Sequence, residues 1–274
     1  MSTDYIYEEK GDQLIPTKWA GGPWAEGLHH GGPVNALFAR AAEQAAAEAG
    51  LQVVRLTVDL FKPVPTVPLR ARYRFIRRGR RIANVEIELT LPDQEEPLCR
   101  GTAVLMLRQE GLGRTWQPEL APPPSLDGVE QLDMIAKSVR EHLPDGFHLS
   151  LQVGFGEDAL GSFACIRSPL QLVAGEEITP LQHGAAVADL TFGLSIRMRL
   201  GDGGFENASE RMSLINTDTT IQWERPPVGH QIFFRDSFIS DEAGIGVASV
   251  TLYDEKGRVG LSTQVLLDQQ LPAR

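Results

Sequence analysis

The chain has 274 residues, 42% of them hydrophobic and 23% charged, with a formal net charge of −10. That composition suits a globular protein able to bury a core without disulfide staples. The acidic balance excludes broad binding to nucleic acid or anionic membrane, but not a polyanionic small ligand that meets a local cationic patch. Cys99 and Cys165 stand far apart with no metal or redox spacing, as expected of a thiol-reducing compartment. Residues 1–13 lack the basic start and apolar stretch of a signal peptide, and no apolar run approaches the ~20 residues of a membrane helix. A cytoplasmic protein without membrane insertion is the expectation.

In chain order, Gly31-Gly32-Pro33 opens an alanine-rich run that ends at Gly50, which predicts a helix from Pro33 to Ala49. Strands are expected over Val53–Phe61, rich in Val, Leu and Thr, over Leu69–Arg77 and Ile82–Leu91, which alternate apolar with polar residues, and over Leu98–Leu107 after a turn cluster at 92–97. Pro118 and Pro122 to Pro124 mark 111–128 as a linker between units at 1–110 and 129–274. Val129–Leu143 reads as a short amphipathic helix, and Phe147–Phe155 and Ser162–Arg167 as strands. A helix over Pro180–Ile196 follows, then strands at Leu214–Trp223, Gln231–Ile239, Ile245–Tyr253 and Val259–Leu267.

Helix then four strands thus occurs twice. His30 to Ala36 aligns with His183 to Asp189, Phe61-Lys62-Pro63 with Glu224-Arg225-Pro226, and Thr102-Ala103-Val104 with Thr263-Gln264-Val265. Ordered matches of this kind indicate duplication. A meander that follows one apolar helix buries it by curling around it.

Asp189 stands out among the residues able to carry chemistry. It is the one formal charge, with His counted neutral, between Ile178 and Ile196, and its repeat partner is Ala36. A carboxylate on an apolar helix face is costly to bury unless it is hydrogen-bonded or functional. Gln264 sits mid-strand among apolar and small residues, where the first copy has Ala103. Asn216 begins a polar stripe with Asp218, Thr220 and Gln222, one strand face by simple alternation. His29, His30 and His183 have no metal-motif spacing and read as helix-start or core residues. Arg77, Arg78, Arg80 and Arg81 form a charged hairpin tip, with contact to phosphates as the alternative. The sequence has no G-x-S-x-G elbow, Walker-type loop or dinucleotide fingerprint.

The sequence resembles the TesB-like acyl-CoA thioesterases, which have a double hot-dog fold of the α+β class. The likeness rests on His30-Gly31-Gly32-Pro33-Val34, Arg55 to Pro65 and Arg78-Gly79-Arg80-Arg81 in the first half. In the second half it rests on Ala188-Asp189, Asn216-Thr217-Asp218, Arg225 to Gly229, Leu252-Tyr253-Asp254 and Ser262-Thr263-Gln264. The resemblance implies an acyl-CoA substrate and a water activated by an Asp, a Thr or Ser, and a Gln. By position these are Asp189 and Gln264, with Asn216 where the family has a hydroxyl. An amide can hold a water through either of its ends. Gly31, Gly32 and Gly184 would line the substrate at helix starts, with Arg78 and Arg80 near the CoA phosphates. No metal or cofactor is expected, and a homodimer or higher homo-oligomer is. The hydratase alternative is disfavoured, since Leu194 stands where hydratases carry His. A non-catalytic acyl-thioester or lipid-binding protein of this fold is the competing function.

Overall fold

The computed structural model describes residues 4–109, 111, 122–127, 129, 131–133, 143–200 and 214–269. Helix α1 (Gly31–Ala49) is capped by His30, whose Nδ1 accepts the Gly32 N–H, and ends at Gly50 in the left-handed conformation that glycine tolerates. Four strands follow: β3 (Gln52–Leu60), β4 (Arg70–Arg78), β5 (Ile82–Thr90) and β6 (Cys99–Met106). α1 packs on all four. Its alanines at 36, 39, 41, 42, 45 and 46 are all buried, so small side chains let sheet and neighbouring helix approach closely.

The second copy has α2 (Pro180–Ala188), α3 (Thr191–Leu200), β11 (Leu214–Asn216), β12 (Asp218–Trp223), β13 (Ile232–Glu242), β14 (Ile245–Asp254) and β15 (Gly257–Asp268). Outward from the seam, one half runs β3, β6, β5, β4 and the other β12, β15, β14, β13. This is the same order twice, as duplication requires. The halves join through antiparallel β3 and β12, where Thr57 opposes Thr220. The 163-residue offset that relates Pro63 to Pro226 also relates Thr57 to Thr220. An internal two-fold therefore passes through this pair, whose hydroxyls are 3.2 Å apart. Beyond β13 the sheet continues through β9 (Gly161–Arg167), β8 (Gln152–Asp158) and β7 (Gln131–Asp133).

Several expectations are corrected. Residues 131–133, assigned above to a helix, pair as a strand with β8, and 134–142 lie outside the described residues. Phe147–Leu149 is a 3-10 turn rather than the start of a strand. The polar N-terminus forms a hairpin, β1 (Tyr5–Lys10) and β2 (Gln13–Pro16). β1 runs parallel to β10 (Gln171–Val173), so Tyr5 and Tyr7 pair with the second half of the chain. The predicted single helix over 180–196 is interrupted at Asp189-Leu190. Most of the 111–128 linker lies outside the described residues.

Candidate active site

The interruption between α2 and α3 has an identifiable cause. In an unbroken helix the Phe192 N–H would bond the Ala188 carbonyl. Here the Gln264 Oε1 accepts the Phe192 N–H at 2.9 Å, and the Ala188 carbonyl accepts the Thr191 hydroxyl at 2.7 Å. Gln264 Nε2 donates to the Asp189 carbonyl at 3.1 Å and to Thr219 Oγ1 at 3.0 Å. A side-chain amide from β15 is thus inserted into the helical ladder, a recognised origin of helix kinks. At the matching strand position the first copy has Ala103, and α1 runs through unbroken.

The break presents the Asp189 carboxylate to the N-terminus of α1. A Cβ at Gly31 would collide with that carboxylate, so glycine is what permits the approach. The positive end of the α1 dipole favours an anion there. Asn216 Nδ2 donates to Asp189 Oδ1 at 3.1 Å. His30 Nδ1 lies 3.1 Å from Asp189 Oδ2. Asp189 and His30 are buried and Asn216 is half-buried.

A β-bulge brings Asn216 into the site. Asn216 opposes Leu266 on β15, whereas Thr220 opposes Thr263. The β11–β12 side thus spans one residue more than its partner, which reverses the face. The Asp218 carboxylate accepts the Val265 N–H at 2.7 Å across the bulge. Asn216 therefore sides with buried Leu266 and Gln264, while Asp218, Thr220 and Gln222 take the other face from buried Thr219 and Ile221. The continuous stripe expected from alternation is corrected accordingly.

Asp189 and Asn216 are in direct contact. Gln264 reaches Asp189 through the backbone carbonyl and not the carboxylate. Gly31 faces that carboxylate. Gly32 packs against the Ala186 carbonyl and the Phe147 ring, where a Cβ would sit 2.6 and 2.7 Å away. Gly184 is held 2.7 Å, by the same measure, from the Trp223 ring, which makes it a packing position. Arg78 bonds Glu48 and its guanidinium lies over Phe75. Glu48 is seventeen residues along α1 from Gly31, so Arg78 lies about 25 Å from the Asp189 end of that helix. Arg80 is exposed at the hairpin tip beyond it. Neither arginine joins the cluster.

His30 and Thr219 were missed as members of the site. The His-Gly-Gly sequence ahead of a helix signalled the cap, but nothing local signals an acid 159 residues away. His183, the repeat counterpart of His30, is buried and accepts the Ser168 N–H at 3.1 Å. Burial, then His230 and Arg167, push it down to about 3. Among the described residues no three His, Cys, Asp or Glu side chains group to hold a metal ion, and no helix is long and apolar enough to cross a membrane.

A buried carboxylate set between an amide donor and a helix N-terminus can accept a proton from water while nearby N–H groups polarise a carbonyl. No curated protein matches the chain by sequence. Solved structures share the fold. A Novosphingobium aromaticivorans protein has 20% identity and a TM-score of 0.68 over 96% of this chain and 98% of its own. A hot-dog protein from Alicyclobacillus acidocaldarius has 15% identity and a TM-score of 0.66 over 97% and 96%. The acyl-CoA thioesterase II TesB2 of Mycobacterium marinum has 14% identity and a TM-score of 0.60 over 97% and 95%. Two family profiles match most of the chain, the acyl-CoA thioesterase N-terminal domain over residues 20–106 and the C-terminal domain over 118–267. With its duplicated fold and both family profiles matched, the chain belongs to the acyl-CoA thioesterase family and is a double hot-dog thioester hydrolase.

Proposed function

We propose that the protein hydrolyses acyl-CoA to free acid and CoA, with Asp189 as general base. Water held by Asp189 attacks the thioester carbonyl carbon. Its proton passes to the carboxylate, the C–S bond breaks, and the proton returns to the departing sulfur. Asn216 orients the carboxylate, and the Gly31 N–H at the start of α1 stabilises the oxyanion. Gln264 acts indirectly, by fixing the helix break. The observation that carries this reading is the buried Asp189 carboxylate, bonded to Asn216 and set against the first residue of α1.

The experiment is release of free thiol from a panel of acyl-CoA lengths by purified protein. Asp189→Asn should lower kcat by about 10²–10⁴, the usual weight of general-base catalysis. Unchanged thiol release by that variant would remove the assignment. Acyl-CoA binding without turnover in the unaltered protein would establish the non-catalytic alternative. The Asn216 amide donating to Asp189 supports hydrolysis, since it holds the carboxylate beside the start of α1. We further propose a cytoplasmic homo-oligomer with units at 1–110 and 129–274. The proline-rich 111–128 supports that division, and the chain composition supports that location.

A further inference from the structure

We infer that His30 is a positioning residue that shares the proton Asp189 takes from water. This rests on the reading of Asp189 as base and goes beyond it. His30 Nδ1 has two neighbours in contact, the Gly32 N–H at 3.0 Å and Asp189 Oδ2 at 3.1 Å. A ring nitrogen has one in-plane site, either a lone pair or a hydrogen. With the lone pair present it accepts the Gly32 N–H, and the carboxylate oxygen then faces it with no hydrogen between them. A proton on Oδ2 turns that contact into an O–H donating to Nδ1, whose lone pair is then shared with the Gly32 N–H.

The ring is poorly placed to turn away. It lies edge-on to Phe147 at 5.3 Å between centroids and stacked on His148 at 6.3 Å. His30 and Asp189 are both buried, so bulk water competes little for either atom. As water attacks, its O–H bond breaks and its proton settles on Oδ2, held by Nδ1. When the C–S bond breaks, the same proton goes to sulfur and the pair returns to its starting state. No oxidant, metal or second base is needed.

The test separates this role from helix capping. Asparagine and serine are both strong N-caps, so His30→Asn and His30→Ser keep a cap on the Gly32 N–H and lose the imidazole. Both should melt near the unaltered protein while kcat falls about 10–100-fold, with KM within about twofold. Full kcat in either folded variant would reduce His30 to a cap and overturn the inference. Should both fail to fold, the nitrogen-15 resonances of His30 in the otherwise unaltered enzyme decide. Asp189→Asn should shift Nδ1, and an Nδ1 resonance indifferent to that change would overturn the inference. Asp189→Asn also keeps the two readings apart. If it retains thiol release, the base assignment fails. If it is inactive while His30→Asn is fully active, the role of His30 fails alone.

Discussion

Gln264→Ala is the substitution with the most to reveal, because Gln264 holds the site without touching the carboxylate. Removing the amide strands three buried partners: the Asp189 carbonyl, the Thr219 hydroxyl and the Phe192 N–H. At roughly 1–3 kcal/mol for each unmet group, the gross cost is about 3–9 kcal/mol. Part is recovered, because the Phe192 N–H and the Ala188 carbonyl are one ordinary helical bond apart. Closing that bond returns about 1 kcal/mol and makes α2 and α3 continuous, as α1 is opposite Ala103. The net loss, about 2–8 kcal/mol, lowers Tm by roughly 4–16 °C in a chain of this size. Joining the helices also displaces Asp189, and an error of ~1 Å in a catalytic group costs about 10²-fold in rate. Thermal melting and thiol release on the same preparation check both parts. An unmoved Tm with a kcat loss above ~10³ would place Gln264 on the reacting water and refute the indirect role. An unmoved Tm with full activity would refute the helix insertion itself.

Three further outcomes follow from the geometry. Gly31→Ala should drop kcat by about 10²-fold, read by thiol release, because its Cβ collides with the Asp189 carboxylate. Gly184→Ala should destabilise by about 1–3 kcal/mol in urea, since its Cβ would press on the Trp223 ring at 2.7 Å. Burial pushes His29 down to about 4 and His183 down to about 3 from 6.5. Both stay neutral in the folded protein while the unfolded chain takes up protons below pH 6.5, so stability falls as pH drops through that value. Between pH 6.5 and 5.5 the two together should cost about 2 kcal/mol in urea titrations. His183→Asn should remove about half of that slope.

Strands such as β3, β5 and β15 were legible because buried positions alternate with less buried ones along much of their length. α1 was legible from Gly31-Gly32-Pro33 and Gly50. What was hidden depends on partners distant in sequence. The break at Asp189 is made by Gln264, a partner 75 residues away, and no proline or turn dipeptide within 181–196 announces it. The face of Asn216 was misread because one extra residue at the bulge reverses the alternation, a displacement visible only in the register with β15. The Tyr5–Pro16 hairpin was overlooked because Glu8, Glu9 and Lys10 give it a polar appearance, while Ile6, Tyr7 and Leu14 are buried.

The duplication also places acids differently from what the sequence repeat suggests. By alignment the counterpart of Asp189 is Ala36, which made the acid look foreign to the fold. Helix packing nevertheless puts an acid at the start of each helix. α2 is capped by Thr179, four residues before His183, while α1 is capped by His30 itself. The helices pack antiparallel, with Gly31 against Asp189 at one end and Glu43 against Thr179 at the other. Glu43 accepts from the Thr179 hydroxyl at 2.8 Å and from the Gln182 amide at 2.7 Å, and burial pushes its carboxyl up. Each helix therefore sends a carboxylate to the start of the other. Glu43 is closed off, its oxygens taken by a capping box on an intact first turn. Asp189 comes from a turn opened by Gln264 and meets glycine and the half-buried Asn216. Antiparallel packing brings an acid to the start of each helix, and the inserted glutamine accounts for why one of them remains available for chemistry.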